Sequence, residues 1–262
     1  MPRFKVTLEY EGTRYSGWQV QKNARTVQGE IQRVLRTVFA SPDFELYGSG
    51  RTDAGVHALG QVAHLDARTV LGPEIIRMKA NDLLPPDINI IEVEKASPAF
   101  HARHDAKARS YLYQVSRRRT AFGKRYVWWV NERLDTALMR SAARSFDGMK
   151  DFRSFTDDDP EEKSTLVFID EVRIEEADDL ILFRVSGSHF LWKLVRRIVG
   201  VIVEAGRGRL DPGEIAGLFA QGTETPVKLT APPSGLFLEK VYYGNEQRRS
   251  ELRPVLFVSH ER

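Results

Sequence analysis

The chain has 262 residues, of which 42% are hydrophobic and 29% charged, with a formal net charge of +3. That balance fits one large or two modest globular domains and excludes a disordered chain. The absence of cysteine excludes disulfides, iron–sulfur clusters and cysteine zinc sites, and no apolar run of about 18 residues reads as a membrane span. Met1-Pro-Arg-Phe-Lys5 runs into a strand-like pattern with no apolar leader, so the expected location is the cytoplasm.

Phe4, Val6, Leu8 and Tyr10 alternate with polar residues and predict a half-buried strand. Residues 11–25 read as a long loop holding Gly12, Gly17 and Trp18. Val27, Ile31, Val34, Leu35 and Val38 then fall at helical spacing, with Thr26 as N-cap. The capping box is imperfect, because Gly29 stands where Glu is expected and Glu30 comes one residue late. A strand near 44–47, a turn over 48–55 and a strand near 61–66 follow. Residues 73–84 predict a helix stopped by Pro85-Pro86, and 88–94 a strand.

In the second half, 109–116 alternates with Tyr111, Tyr113 and Val115 on one face. Asp135 caps a helix with Leu138, Met139, Ala142 and Phe146 inside, and 168–174 with 180–186 predict a hairpin. Residues 190–203 read as the clearest helix, with Lys193, Arg196 and Arg197 on its polar face. Asp211-Pro-Gly-Glu214 is a helix start, and 236–243 a last strand. Strands and helices mix without strict alternation, which predicts an α+β fold with antiparallel sheet. The two halves share an element pattern, joined near residue 105, and 245–262 read as a tail.

Charge is segregated along the chain. Residues 101–125 hold eight Lys or Arg against one acid, and 157–179 hold eleven acids against two bases. A basic stretch suits a polyanion such as nucleic acid, and equally a solvated face. Asp157-Asp-Asp159-Pro-Glu-Glu162 reads as a solvated acidic loop.

The most unusual stretch is Gly48-Ser-Gly50-Arg51-Thr52-Asp53-Ala54-Gly55-Val56-His57-Ala58. A dinucleotide fingerprint needs glycine where Asp53 stands, and no Walker lysine follows. What remains is a guanidinium and a carboxylate two residues apart on a tight turn; from these residues alone an Asp that caps its own turn is the ordinary case, and a rigidly held Asp at a sheet edge the alternative. His101 and His104 lie at i, i+3, but no metal-binding spacing accompanies them, so no metal is expected. No serine lies in a nucleophile elbow. Tyr111 and Tyr113 beside Lys107 and Arg109 suit stacking on nucleobases and holding phosphates, or a buried core face. Arg196 borders the apolar stripe of its helix, where a snorkelling arginine is the ordinary case.

Eight pieces in order carry a resemblance: Tyr10-Glu-Gly-Thr-Arg-Tyr-Ser-Gly-Trp-Gln19, Thr26-Val-Gln-Gly29, Gly50-Arg-Thr-Asp-Ala-Gly-Val-His-Ala58, Phe100-His-Ala-Arg103, Ala108-Arg-Ser-Tyr-Leu-Tyr113, Asp151-Phe-Arg-Ser-Phe155, Phe190-Leu-Trp-Lys-Leu-Val-Arg-Arg-Ile-Val-Gly200 and Ala231-Pro-Pro-Ser-Gly-Leu236. From about residue 3 to 243 the chain resembles the TruA-type tRNA pseudouridine synthases. The resemblance implies isomerisation of uridine to pseudouridine in the tRNA anticodon arm, at positions 38, 39 and 40, with no metal and no organic cofactor. It implies two similar lobes (1–104 and 105–245, before a 246–262 tail), each a mostly antiparallel sheet with helices on one face. The active-site cleft then lies between them, and a homodimer carries tRNA across both subunits. Asp53 maps to the essential carboxylate, Tyr111 to a contact with the target base and Arg196 to the partner of the catalytic Asp. Arg51 and Arg103 are candidates to fill the gap left by an extruded base or to hold phosphates. Two departures stand out: Leu194 where Met is common, and Phe155-Thr-Asp-Asp158 in place of the more usual Phe-Arg. The competing expectation is a tRNA-binding protein without chemistry, which gives Asp53 no task. A metal-dependent phosphoesterase built on the acidic loop and the histidines is a remoter one.

Overall fold

A computed structural model describes residues 1–220 and 223–256. The chain divides into two compact units. The first comprises Met1–Lys107 and Phe237–Gln247, and the second Ala108–Leu236 and the chain from Arg248 on. No helix among the described residues is long and apolar enough to cross a membrane.

In the first unit, β1 (Arg3–Tyr10) pairs antiparallel with β3 (His57–Ala67) and with β4 (Ile88–Ala96). The alternation expected for β1 is realised: Phe4, Val6, Leu8 and Tyr10 are buried. β2 (Phe44–Gly48) runs antiparallel to β3 on the opposite edge from β1. β10 (Leu236–Tyr243) returns from the end of the chain to lie parallel to β3, with Phe237 opposite His57. α1 (Val27–Phe39) opens on Thr26, whose hydroxyl accepts from Gly29 N at 3.3 Å, and buries Val27, Ile31, Val34 and Leu35. α2 (Pro73–Leu83) places its proline in the first turn, where the missing N–H costs nothing, and packs on α1 and β4.

In the second unit, β5 (Ala106–Ser116) pairs antiparallel with β9 (Leu180–Gly187), and β9 with β8 (Leu166–Ala177). The short β7 (Gly148–Asp151) extends the sheet beside β8, and β6 (Trp128–Trp129) runs parallel to β5. α3 (Thr136–Ala143) is capped by Asp135 and packs against β8 and α4 (Leu194–Gly206), which in turn meets the single turn α5 (Thr225–Lys228). Both units are thus mixed α+β, with antiparallel pairs predominating and one parallel pair in each.

Three local expectations change. β3 starts at His57, four residues early, so the Arg-Thr-Asp turn ends directly on a strand. Residues 212–219 form 3₁₀ turns in place of an α-helix. The 190–203 stripe enters its helix only at Leu194, because Lys193 adopts a left-handed φ of +60°. Phe190 and Leu191 continue the apolar pattern without being helical, since periodicity records burial and not backbone conformation.

The segment after β10 is tied down as far as it is described, and residues 257–262 of the expected tail lie outside the described residues. Arg184, 1% exposed on β9, donates to the carbonyls of Arg249 (3.0 Å) and Glu251, and Val255 N donates to Gln114 Oε1 at 2.7 Å.

Candidate active site

In the first unit, Asp53 sits half-buried on the turn leading into β3, and Arg51 is exposed two residues before it. The loop after β1 holds that turn through backbone contacts. Trp18 N donates to Thr52 O (3.1 Å), Gly55 N to Tyr15 O (3.2 Å), and Val56 N closes the turn on Asp53 O (3.1 Å). Gly12 and Gly17 permit the approach. A Cβ at Gly12 would lie 2.0 Å from Val56 O, and one at Gly17, where φ is +88°, 2.5 Å from Thr52 O. Trp18 anchors the loop from behind, 1% exposed and packed on the Cα of Gly48.

Beneath the turn lies a buried polar network. Thr52 Oγ1 and Tyr10 OH are 2.8 Å apart, Ser49 Oγ donates to Gln61 Oε1 (3.0 Å), and Gln61 Nε2 donates to Gly50 O (3.1 Å). Satisfied groups in dry surroundings specify one arrangement, so the residues flanking Asp53 are fixed on both sides. Gln61 was legible only as a strand residue, and Tyr10 as a strand residue that opens the first of the resemblance motifs; the hint of a further role was a polar side chain at a core position.

His57 follows the turn. Its Nδ1 accepts from Gly12 N at 3.0 Å, which puts the ring proton of the neutral form on Nε2, and the ring stacks on Phe237. His64 and His101 likewise spend Nδ1 on backbone, accepting from Ala102 N (3.2 Å) and from Arg103 N (3.1 Å). Among the described residues no group of three or more His, Asp or Glu is arranged to hold a metal ion. Arg103 itself is exposed on the connection between β4 and β5, in the same unit as Asp53.

In the second unit, Tyr111 lies on β5 opposite Val185, 8% exposed, with its ring edge-on to Phe190 at 4.9 Å between centroids. Tyr113 differs. It is fully buried, its hydroxyl donates to Pro232 O at 2.7 Å, and burial pushes its pKa well up against the opposing charge of Arg196. Arg196 is half-buried on the first turn of α4, and its Nε donates to Ala231 O at 2.7 Å while Ala231 N returns a bond to Arg196 O. The Ala231-Pro232 segment therefore tethers both the Tyr-x-Tyr strand and the arginine.

Two charge expectations are corrected. Arg197 is not on a solvated face but 1% exposed, ion-paired with Asp157. The acidic loop is correspondingly not merely solvated: Asp157 also takes Lys193 Nζ (2.7 Å), and Asp158 accepts from Trp192 N (2.9 Å) and Lys163 Nζ (2.8 Å). In the basic stretch, Arg117 pairs with Glu176 and Arg118 with Asp179. Charges segregated along the sequence therefore partly cancel in space. With Thr136 and Arg140 adding hydrogen bonds, Arg117 holds the Glu176 carboxyl down to about 2.

The profile of the tRNA pseudouridine synthase family matches residues 7–105 and 142–244. The chain is 41% identical over 245 residues to a tRNA pseudouridine synthase A of Geobacillus sp. (strain WCH70), covering 93% of this chain and 99% of that protein. It is 38% identical over 256 residues to the protein of that name from Thermodesulfovibrio yellowstonii, covering 93% and 100%. A third relative, from Exiguobacterium sp., is 38% identical over 243 residues, covering 93% and 98%.

This chain belongs to the tRNA pseudouridine synthase family.

It is accordingly an isomerase with tRNA as the substrate its family implies. Asp53, Arg51, Arg103 and Arg196 lie inside the matched segments, whereas Tyr111 falls in the interval between them. Arg51 and Asp53 share one turn and Arg103 a separate connection of the first unit, while Tyr111 and Arg196 belong to the second.

Proposed function

We propose that the enzyme isomerises uridine to pseudouridine in the anticodon stem-loop of tRNA, at positions 38, 39 and 40, with Asp53 as the catalytic carboxylate. The observation that carries this reading is the Asp53 turn, fixed by backbone contacts above and a buried hydrogen-bond network below, with an exposed arginine beside it. Positional rigidity of that kind is what a group attacking a single atom requires.

In the reaction the N1–C1′ bond breaks, the uracil turns, and a C5–C1′ bond forms. The C5 proton leaves, and N1 gains one. No electron acceptor or energy source is needed, so no cofactor enters the scheme. The target nucleoside must leave the stack for its ring to turn. Asp53 acts ionised, by attack at C1′, by attack at C6 of the ring, or by removing the C2′ proton to give a glycal. Arg196 supplies a positive charge that faces and orients the Asp53 carboxylate. Tyr111 stacks on the detached uracil and holds it during rotation, with Phe190 supporting the ring from its edge. Arg51 and Arg103 hold phosphates or fill the space left by the extruded base.

For these roles to combine, the two lobes, residues 1–104 and 105–245, close a cleft around one nucleoside. Two copies of the chain pair in the cytoplasm, and a tRNA lies across both. The test is release of tritium from tRNA carrying 5-tritiated uridine. D53N and D53A abolish release while tRNA binding stays within a few fold. Continued release by a clean D53A preparation refutes the assignment.

A further inference from the structure

We infer that Asp157 and Asp158 are positioning residues, clamping residues 190–193 and the first turn of α4 so that Phe190, Tyr111 and Arg196 meet substrate in one arrangement. The inference rests on the reading of Tyr111 and Arg196 as substrate contacts.

The clamped segment needs holding. Lys193 sits at φ +60°, a conformation that costs a residue with a Cβ about 1–2 kcal/mol. α4 begins immediately after it with no side-chain cap of its own. The missing partner is Asp158, whose Oδ2 accepts from Trp192 N at 2.9 Å near the positive end of the helix dipole. Lys163 Nζ (2.8 Å) and Thr156 Oγ1 (3.1 Å) fix that carboxylate in turn.

Asp157 grips the same segment from the side, taking Lys193 Nζ and Arg197 Nη2. Arg197 is buried, and its Nε and Nη1 have no hydrogen-bond partner among the described residues. A guanidinium so poorly satisfied is a costly core residue. Packing alone would favour an aliphatic side chain there, whereas an anchor for an opposing carboxylate requires the charge. The loop has a stiff root as well: Phe152 and Phe155 are fully buried and pack on each other and on Phe219. Two carboxylates on a rigid base therefore hold the turn whose Phe190 ring lies against Tyr111.

The experiment compares D157A, D158A, D157N and D158N with the unmodified enzyme for tritium release, tRNA affinity and thermal unfolding, with E161Q as a control on the exposed part of the same loop. D158A lowers kcat about ten- to a hundredfold, as expected for ångström-scale misplacement, while KM for tRNA changes less than about threefold. D158N keeps an oxygen acceptor for the Trp192 N–H and recovers most of kcat. D157A also exposes Arg197 to unfolding, so D157N, which keeps an acceptor, separates the two effects. E161Q matches the unmodified enzyme. Unchanged kcat in both alanine variants overturns the inference, as does a loss that follows the unfolded fraction or is not rescued in D158N. An unmodified enzyme that releases no tritium overturns the functional reading itself.

Discussion

Gly17→Ala tests whether the loop after β1 sets the position of Asp53. The added methyl acts twice. It places a side chain at φ +88°, a strain of about 1–2 kcal/mol. It also puts a Cβ 2.5 Å from Thr52 O, 3.2 Å from Asp53 C and 3.3 Å from Ala54 N, all backbone atoms with no rotamer to change. Overpacking of that kind costs about 1–3 kcal/mol. The sum, about 2–5 kcal/mol, is a large share of the ~5–15 kcal/mol that stabilises a typical domain. The melting temperature should fall by roughly 5–15 °C. The turn can escape only by moving away from the loop, which lengthens the Trp18 N–Thr52 O bond and carries Asp53 with it. At temperatures where the variant is folded, kcat should still fall by about ten- to a hundredfold. Gly217→Ala is the comparison, because that exposed glycine has open space around it and no positive φ. Differential scanning calorimetry and single-turnover tritium release supply both numbers. A Gly17→Ala enzyme with unmodified melting and turnover refutes the claim that this backbone approach holds the Asp53 turn.

Other consequences follow from the same geometry. Tyr10→Phe removes the hydroxyl that faces Thr52 Oγ1 in a buried network and should cost about 1–3 kcal/mol in denaturant unfolding, with a fall in kcat because Thr52 adjoins Asp53. His64 is held at a pKa of about 4, first by burial and then by the charges of Arg3 and His101. Its folded pKa lies below the ordinary 6.5, so the unfolded chain takes up the proton first. Stability therefore falls as pH drops from 6.5 towards 4, by up to about 3 kcal/mol, and His64→Gln should flatten urea midpoints measured across that range. Truncation after Gln247 removes two carbonyl acceptors of the buried Arg184 and the buried Leu252, so the shortened chain should melt lower; equal melting refutes a structural role for the segment. Arg103→Ala should reduce tRNA affinity and flatten its salt dependence, because an arginine that holds a phosphate releases counterions on binding. A salt slope equal to that of the unmodified enzyme, measured by filter binding, refutes a phosphate contact at Arg103.

What the sequence disclosed and what it withheld divide along a physical line. Elements whose signal is local were legible: the alternation of β1, the Thr26 cap of α1, the proline stops around α2 and the Asp135 cap of α3. The Arg-Thr-Asp turn was legible as unusual, and its Asp as a residue a turn can hold rigidly. How it is held was not, because the holding groups are backbone atoms and glycines some forty residues upstream, and a glycine's pattern does not say which strand it lies against. Charge failed for the same reason. Basic and acidic stretches look segregated along the chain, yet β5 and β8 flank β9, which brings Arg117 and Arg118 to the carboxylates of the 166–187 hairpin. Counting charges by position therefore overstated the field available to a polyanion. The error at residues 190–193 is the most instructive. An apolar stripe running unbroken through Phe190 and Leu191 masks a left-handed residue at 193, and the carboxylates that stabilise that break sit in a stretch that composition marks as solvent-exposed. A turn that is propped by a distant loop can be tuned without substituting any residue of the turn itself. On this reasoning, changes at Asp157, Asp158 or Arg197 should alter turnover while leaving Asp53, Tyr111 and Arg196 untouched.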